Sequence, residues 1–160
     1  MADRTVTVSW EDPMRLAGRA PSLSGLEFLR AIVAGELPPA PIQQLLGFRL
    51  VEAEEGRVVF ELDPGERHYN PIGSVHGGVA ATLLDSAMGA TVHSTLPQGS
   101  AYVTLEVKVN LVRAISADTG PVRAEGRVIH RGGTVATSAA DLRDGHGKLL
   151  AHGTSTCLIR

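Results

Sequence analysis

From residue 48 onward this chain alternates between apolar and polar positions, and one long run in the middle breaks the alternation. Residues 48–55 and 57–63 have the period-two pattern of strands, with Gly56 at the turn between them. Val103, Leu105, Val107, Val109 and Leu111 alternate with Thr104, Glu106, Lys108 and Asn110, the cleanest strand pattern in the sequence. Residues 122–130, 134–143 and 148–159 follow as three more strands. Arg131-Gly132-Gly133 and Asp144-Gly145-His146-Gly147 separate them, as antiparallel neighbours require. The interruption starts at Gly77 and runs to about Ser94, and its small and apolar residues lack strand alternation. It predicts one long helix, closed before Pro97-Gln98-Gly99.

The first third of the chain reads differently. Ser22 or Ser24 can cap a short helix with Leu26, Leu29, Ile32 and Val33 at helical spacing, closed by Gly35 and Pro38-Pro39. Pro41 can start a second short helix that ends at Gly47. Residues 1–20 alternate only weakly, and Pro13 and Gly18 interrupt them; they read as an arm, loose or docked on a partner. The expected organisation is an arm with a short helix over 1–34 and one domain over 35–160. One long helix and several long strands predict an α+β domain, with the helix laid against a single antiparallel sheet. Ala80, Ala81, Ser86, Ala87, Gly89 and Ala90 keep that helix thin, so a strongly curved sheet can wrap it closely.

Composition narrows the function. Fifteen basic against seventeen acidic residues give a net charge of −2, and aromatic residues are only 4% of the chain, which argues against nucleic-acid and general membrane-surface binding. No apolar run approaches the length of a membrane span, and the N-terminal residues lack a signal-peptide pattern. The single cysteine, Cys157, cannot form an internal disulfide and reads as a small core residue. The expected compartment is therefore the cytoplasm. His68, His93, His130, His146 and His152 lack metal-ligand spacing, so no metal is expected, and no Gly-x-Ser-x-Gly elbow is present to support a serine triad.

The chemistry concentrates at the start of the long helix. A polar loop ends in His76-Gly77-Gly78, and Asp85 is the only carboxylate in the helical run that follows. Two glycines at a helix start leave backbone N–H groups open to a ligand at the positive end of the helix dipole, where a carbonyl oxygen can be polarised. The other reading is a tight turn that lets helix and strand approach. Asp85 follows Gly78 by seven residues, close to two turns, so it shares the face of the helix start. A carboxylate on an apolar helix is either held by backbone groups or functional.

This stretch resembles the hotdog-fold acyl-coenzyme A thioesterases of the PaaI (phenylacetate-pathway) type. The matching residues are Asn70, Gly73, Val75-His76-Gly77-Gly78, Ala80-Ala81, Leu84-Asp85 and Ala87, and the likeness extends over about residues 35–159, including 103–113. The resemblance implies a long central helix wrapped by a curved antiparallel sheet, with chains paired into dimers or dimers of dimers (homotetramers). It implies hydrolysis of an acyl-coenzyme A to free acid and coenzyme A, with water as co-reactant and no cofactor. The site is then shared between subunits. The Gly77 amide binds the thioester carbonyl oxygen, Asn70 holds the water or the thioester, and Asp85 of the neighbouring subunit acts as general base or as nucleophile. For His76 an orienting role is favoured over proton transfer, since a helix N-terminus disfavours the charged ring. Gly78, Thr104, Arg131 and Gly132 are candidates for substrate binding. Arg131-Gly132 would meet coenzyme A phosphates, although Gly133 and Thr134 stand where relatives often carry a further basic residue. Asn70 as a turn former, Thr104 as a plain strand residue and Arg131 as solvated surface are the structural alternatives. Two rival functions stay open: a dehydratase or hydratase on acyl thioesters, and a non-catalytic acyl-coenzyme A sensor.

Overall fold

Small residues on one helix and glycines on the facing strands set how the layers of this protein meet. The computed structural model describes residues 4–160. Its central helix α4 (Gly77–His93) fully encloses Leu83, Leu84, Ala87, Met88 and Val92. Six strands wrap it: β1 (Phe48–Glu54), β2 (Arg57–Leu62), β3 (Tyr102–Leu111), β4 (Val122–Arg131), β5 (Val135–Asp144) and β6 (Leu149–Ile159). They form one antiparallel sheet in the order β1-β2-β4-β5-β6-β3. This is the α+β hotdog arrangement implied by the resemblance.

The approach of helix to sheet is closest at β4. A Cβ placed on Gly126 would lie 2.4 Å from the Ala87 carbonyl oxygen and 2.4 Å from Thr91 Oγ1, so no side chain fits there. The core closes around this contact with Val58, Phe60 and Leu62 of β2, Val122 and Ala124 of β4, and Leu142 of β5. Phe48 and Phe60 pack edge to face with ring centroids 5.7 Å apart. On the opposite side of the sheet Arg57 and Arg123 share Glu52 at 2.8 and 3.1 Å, while Glu61 bonds Arg123 at 2.7 Å and also Arg49. That exposed network contributes little to stability but covers the outer face of three strands.

The short helices precede the sheet. Helix α2 (Gly25–Val33) starts at Ser24, which accepts from the Glu27 amide and donates its own amide to Glu27, a reciprocal cap. It docks on the C-terminal end of α4, where the Gly25 amide donates to the Leu96 carbonyl at 3.0 Å. Helix α3 (Pro41–Leu46) ends at Gly47, whose φ of 74° is the left-handed conformation that favours glycine. The sequence pattern reads Pro13 as an interruption, whereas Pro13 opens helix α1 (Pro13–Arg19), capped by the Asp12 carboxylate on the Met14 amide at 2.9 Å. Proline suits the first helical turn because its missing N–H has no partner there anyway. Residues 1–3 of the expected arm lie outside the described residues. Among the described residues no helix is long and apolar enough to cross a membrane.

Strand β3 departs from simple alternation. Thr104 pairs with Cys157 of β6 and Glu106 with Thr156, so Leu105 is an inserted residue, a bulge. Cross-strand partners share a face of the sheet. Thr104, paired with the buried Cys157, therefore joins Val107 and Val109 on the helix side, where strict alternation would put it on the opposite side. β3 is also an edge strand, and it leaves Leu105 59% and Leu111 58% exposed.

Two histidines couple this fold to pH. His68 is buried between helix α3 and the loop before α4, bonded to the Leu46 carbonyl at 2.8 Å and to the Gly65 amide at 3.0 Å. Burial lowers its pKa, and burial likewise lowers that of His93 at the end of α4. The unfolded chain then binds protons that the folded chain refuses, so stability is whole above the ordinary imidazole value of about 6.5 and falls as pH drops below it. Chemical denaturation between about pH 8 and pH 5 should show this decline, and it should flatten in a His68→Gln, His93→Phe double variant.

Candidate active site

Helix α4 begins at a loop built by Asn70. Its Oδ1 accepts from the Ile72 and Ser74 amides at 3.0 and 3.2 Å, and its Nδ2 donates to Ser74 Oγ at 3.1 Å. The Asn70 amide also donates to the Ser74 carbonyl at 2.7 Å. Asn70 is thus the turn former of the structural reading, and one N–H of its side-chain amide is left over for another acceptor.

His76 is the N-cap of α4. Its Nδ1 accepts from the Gly78 amide at 2.9 Å, so the neutral ring carries its proton at Nε2. The two glycines consequently differ. The Gly78 N–H is taken by His76, whereas the Gly77 N–H has no acceptor among the described residues. Of the two amides expected to be open, only that of Gly77 is. Gly77 borders a cavity of about 230 Å³ together with Asn70, Ser74, Leu111 and Arg113. Its missing side chain matters, since a Cβ would lie 2.5 Å from Leu111 Cδ1.

Asp85 sits two turns further along. Its Oδ1 accepts from Thr104 Oγ1 at 3.3 Å, a contact made possible by the bulge at Leu105. The carboxylate is felt by its neighbours: the Tyr102 phenol is pushed well up by burial, then by Cys157 and Asp85, and burial also raises the Cys157 thiol. Eight residues separate Gly77 from Asp85, which is about 12 Å along the helix axis. One chain therefore brings together Asn70 with Gly77, His76 with Gly78, and Thr104 with Asp85, but not the Gly77 amide with the Asp85 carboxylate. Arg131 is exposed at the end of β4, and the Gly132 amide is used by the turn to Val135 at 2.9 Å. Arg131 lies in the same cross-strand row as Thr104, with Ala136 and Cys157 between them, a separation of about 14 Å across three strand spacings.

A second cavity, of about 260 Å³, opens on the other flank of α4. Ser86, Ala90 and His93 line it from one helix face, with Tyr102, Phe28 and Gln43 opposite. The spacing of those three helix positions was available in the sequence, but nothing there marked Gln43 or His93 as neighbours.

Comparison with known proteins resolves the family. The sequence profile of the Thioesterase superfamily matches residues 72–151, half of the chain, and so spans the helix start, Asp85 and strands β3, β4 and β5. The chain belongs to the thioesterase superfamily. It is 29% identical over 130 residues to the acyl-coenzyme A thioesterase 13 of Homo sapiens, covering 80% of this chain and 91% of that protein. Among solved structures it superposes on the phenylacetic acid degradation-related protein of Ralstonia eutropha JMP134 with a TM-score of 0.73 and 27% identity, covering 81% of this chain and 98% of that one. The PaaI protein of E. coli, at 20% identity and a TM-score of 0.73 over 84% of this chain and 95% of its own, shares the fold. The resemblance to the hotdog-fold thioesterases of the PaaI type is borne out by the family match and these neighbours taken together.

The His76 cap holds the first turn of the helix on which the site depends. His76→Ala should destabilise the protein by about 1 kcal/mol, and His76→Asn, which restores a cap acceptor, should recover most of it. Urea denaturation of the three proteins measures both differences.

Proposed function

We propose that this protein is an acyl-coenzyme A thioesterase whose active site is assembled from two subunits, and the separation of Gly77 from Asp85 carries that reading. A single thioester carbon cannot be reached by both groups of one chain, about 12 Å apart on a rigid helix. Two chains related by a twofold axis set the helix start of one against the Asp85 of the other. The edge strand β3, with Leu105 and Leu111 exposed, supplies a surface for pairing. The assembly is then a dimer or a dimer of dimers, and a cytoplasmic setting suits the unpaired, buried Cys157.

In this site the thioester carbonyl oxygen accepts from the Gly77 N–H at the positive end of a 17-residue helix. Asn70, whose Nδ2 keeps one N–H beyond its bond to Ser74 Oγ, lines the same cavity. Both donors gain strength as negative charge builds on that oxygen in the tetrahedral intermediate. The partner's carboxylate takes a proton from water as the water attacks the carbonyl carbon; as nucleophile it would attack the same carbon directly and form an anhydride. Thr104 holds one carboxylate oxygen and leaves the other for the reaction. Breaking the C–S bond releases coenzyme A thiolate, a good leaving group. His76 acts by fixing the turn, Gly78 by closing it, and Arg131-Gly132 offers a cation at the rim for coenzyme A phosphates. Water is the only co-reactant.

Light scattering at micromolar concentration should give a multiple of the chain mass, and a monomer would exclude a shared site. Asp85→Asn should retain the fold and lower kcat for thiol release by on the order of 10²-fold or more. Mixing Asp85→Asn chains with Asn70→Ala chains should restore roughly a quarter of wild-type turnover. Random pairing makes half the dimers mixed, and each mixed dimer keeps one intact site. Near-normal turnover in Asp85→Asn alone would favour a binding protein or another catalytic acid.

A further inference from the structure

Two short stretches, residues 68–70 and 74–76, pair with each other just before α4. The Asn70 amide donates to the Ser74 carbonyl at 2.7 Å and the His76 amide to the His68 carbonyl at 2.8 Å, with Tyr69 and Val75 bridged between them. The second stretch ends in His76, the cap of α4, and Gly77 is the next residue. The pairing therefore fixes where the helix begins and which way the Gly77 N–H points. Asn70 belongs to the first stretch. Both donors assigned to the thioester oxygen thus hang on one small hairpin.

Two side chains of the first stretch tie that hairpin to the rest of the molecule. Tyr69 Oη accepts from the Ala117 amide at 2.9 Å. The His68 ring, 4% exposed, accepts at Nδ1 from the Gly65 amide at 3.0 Å. With Nδ1 an acceptor, the neutral ring carries its proton at Nε2 and donates it to the Leu46 carbonyl at 2.8 Å. Leu46 closes α3, and Phe48, two residues on, is buried in the core, so the ring is bonded to a fixed part of the fold. Only the neutral ring makes both bonds. A proton added at Nδ1 would set one N–H against another at Gly65.

We propose that His68 is a positioning residue for thioester hydrolysis: its neutral ring holds the hairpin that presents Asn70 and the Gly77 N–H, and protonation of the ring releases that hold. The inference rests on the acyl-coenzyme A thioesterase reading and on the roles given there to Gly77 and Asn70. Donors to a developing oxyanion act only when fixed in place, and a misplacement of about 1 Å can cost on the order of 10²-fold in rate. The surroundings favour the neutral ring. Burial lowers the His68 pKa most, the bond to Leu46 opposes this, and the Arg67 guanidinium adds to the lowering. Helix α3 carries no charged residue, and the His76 ring is engaged by the Gly78 amide. The carboxylates nearest in the chain already have cations, Glu66 with Arg4 at 2.7 Å and Asp63 with Arg49 at 3.0 Å. The two ring bonds are therefore whole above the ordinary imidazole value of about 6.5 and are lost as pH falls through the lower value of the folded ring.

The test measures kcat and KM by thiol release between about pH 8 and pH 5, with whichever of a short-chain, a long-chain and an aryl acyl-coenzyme A is turned over fastest. Circular dichroism and light scattering check that each variant keeps the fold and the assembly. His68→Phe keeps the bulk of the ring and loses both bonds. At about pH 8 its kcat should fall by about tenfold or more with little change in KM, because oxyanion donors act mainly in the transition state. His68→Gln offers an amide N–H and a carbonyl oxygen in place of the two nitrogens, and should recover most of that loss. The ratio of wild-type to His68→Gln kcat should be level above about pH 7 and drop as the imidazole protonates. His76 and Asp85 are common to both proteins and cancel from it. The Gly77 amide resonance should show a step with the same midpoint in the wild type that His68→Gln lacks. A folded His68→Phe protein with wild-type kcat overturns the proposal and leaves the thioesterase reading intact. If that variant does not fold, a ratio that stays level down to the pH at which the wild type unfolds overturns it. Absence of thiol release from the wild type with all three thioesters instead removes the thioesterase reading itself.

Discussion

Everything in this protein depends on how closely one helix can lie against a curved sheet. Gly126 of β4 meets Ala87 and Thr91 of α4 with no room for a Cβ, and a Cβ on Gly153 of β6 would lie 2.7 Å from the Lys108 carbonyl oxygen of β3 and 3.4 Å from Met88 Cε of α4. A larger residue at Gly126 would lift the helix off the sheet and open the packing of Leu83, Leu84, Met88 and Leu142. The helix is held on several sides, so its two candidate site positions, Gly77 and Asp85, keep a fixed separation. That separation is the reason the proposed site draws on two chains.

The helix start and the helix middle are supported by different means. At the start, His76 consumes the Gly78 amide and Asn70 ties the preceding turn, and the Gly77 N–H is left unpaired at the positive end of the dipole. In the middle, Thr104 reaches Asp85 only because a bulge moves it to the helix side of β3. Each support is local and hydrogen-bonded, and neither strains the backbone, since among the described residues no non-glycine residue has positive φ. Pre-oriented groups of this kind lose little on reaching the transition state, which is where fixed dipoles contribute most.

Two cavities border α4. One lies against Gly77, beside Arg113; the other is largely apolar and is lined by Ser86, Ala90 and His93.

Sequence alone determined a great deal. Period-two runs marked all six strands, and the non-alternating run from Gly77 marked α4, because burial on one face imposes its period on the residues themselves. Ser22 or Ser24 with Gly35, and Pro41 with Gly47, marked the ends of two short helices through local hydrogen bonds and backbone preference, and the structure chose Ser24. The His76-Gly77-Gly78 turn and the lone Asp85 could be read together because both belong to one helix. Helix α1 was obscured by Pro13, whose effect depends on whether it sits in the first turn or beyond it. Other features were decided only in three dimensions. The bulge at Leu105 broke an alternation that looked unbroken, and it put Thr104 on Asp85. The Gly78 amide proved to be occupied, since a cap depends on a side-chain rotamer. Gln43 and His93, fifty residues apart in the chain, share one cavity wall. Spacing reveals neighbours along a helix or strand, but contacts between elements arise from packing, and no local pattern encodes them.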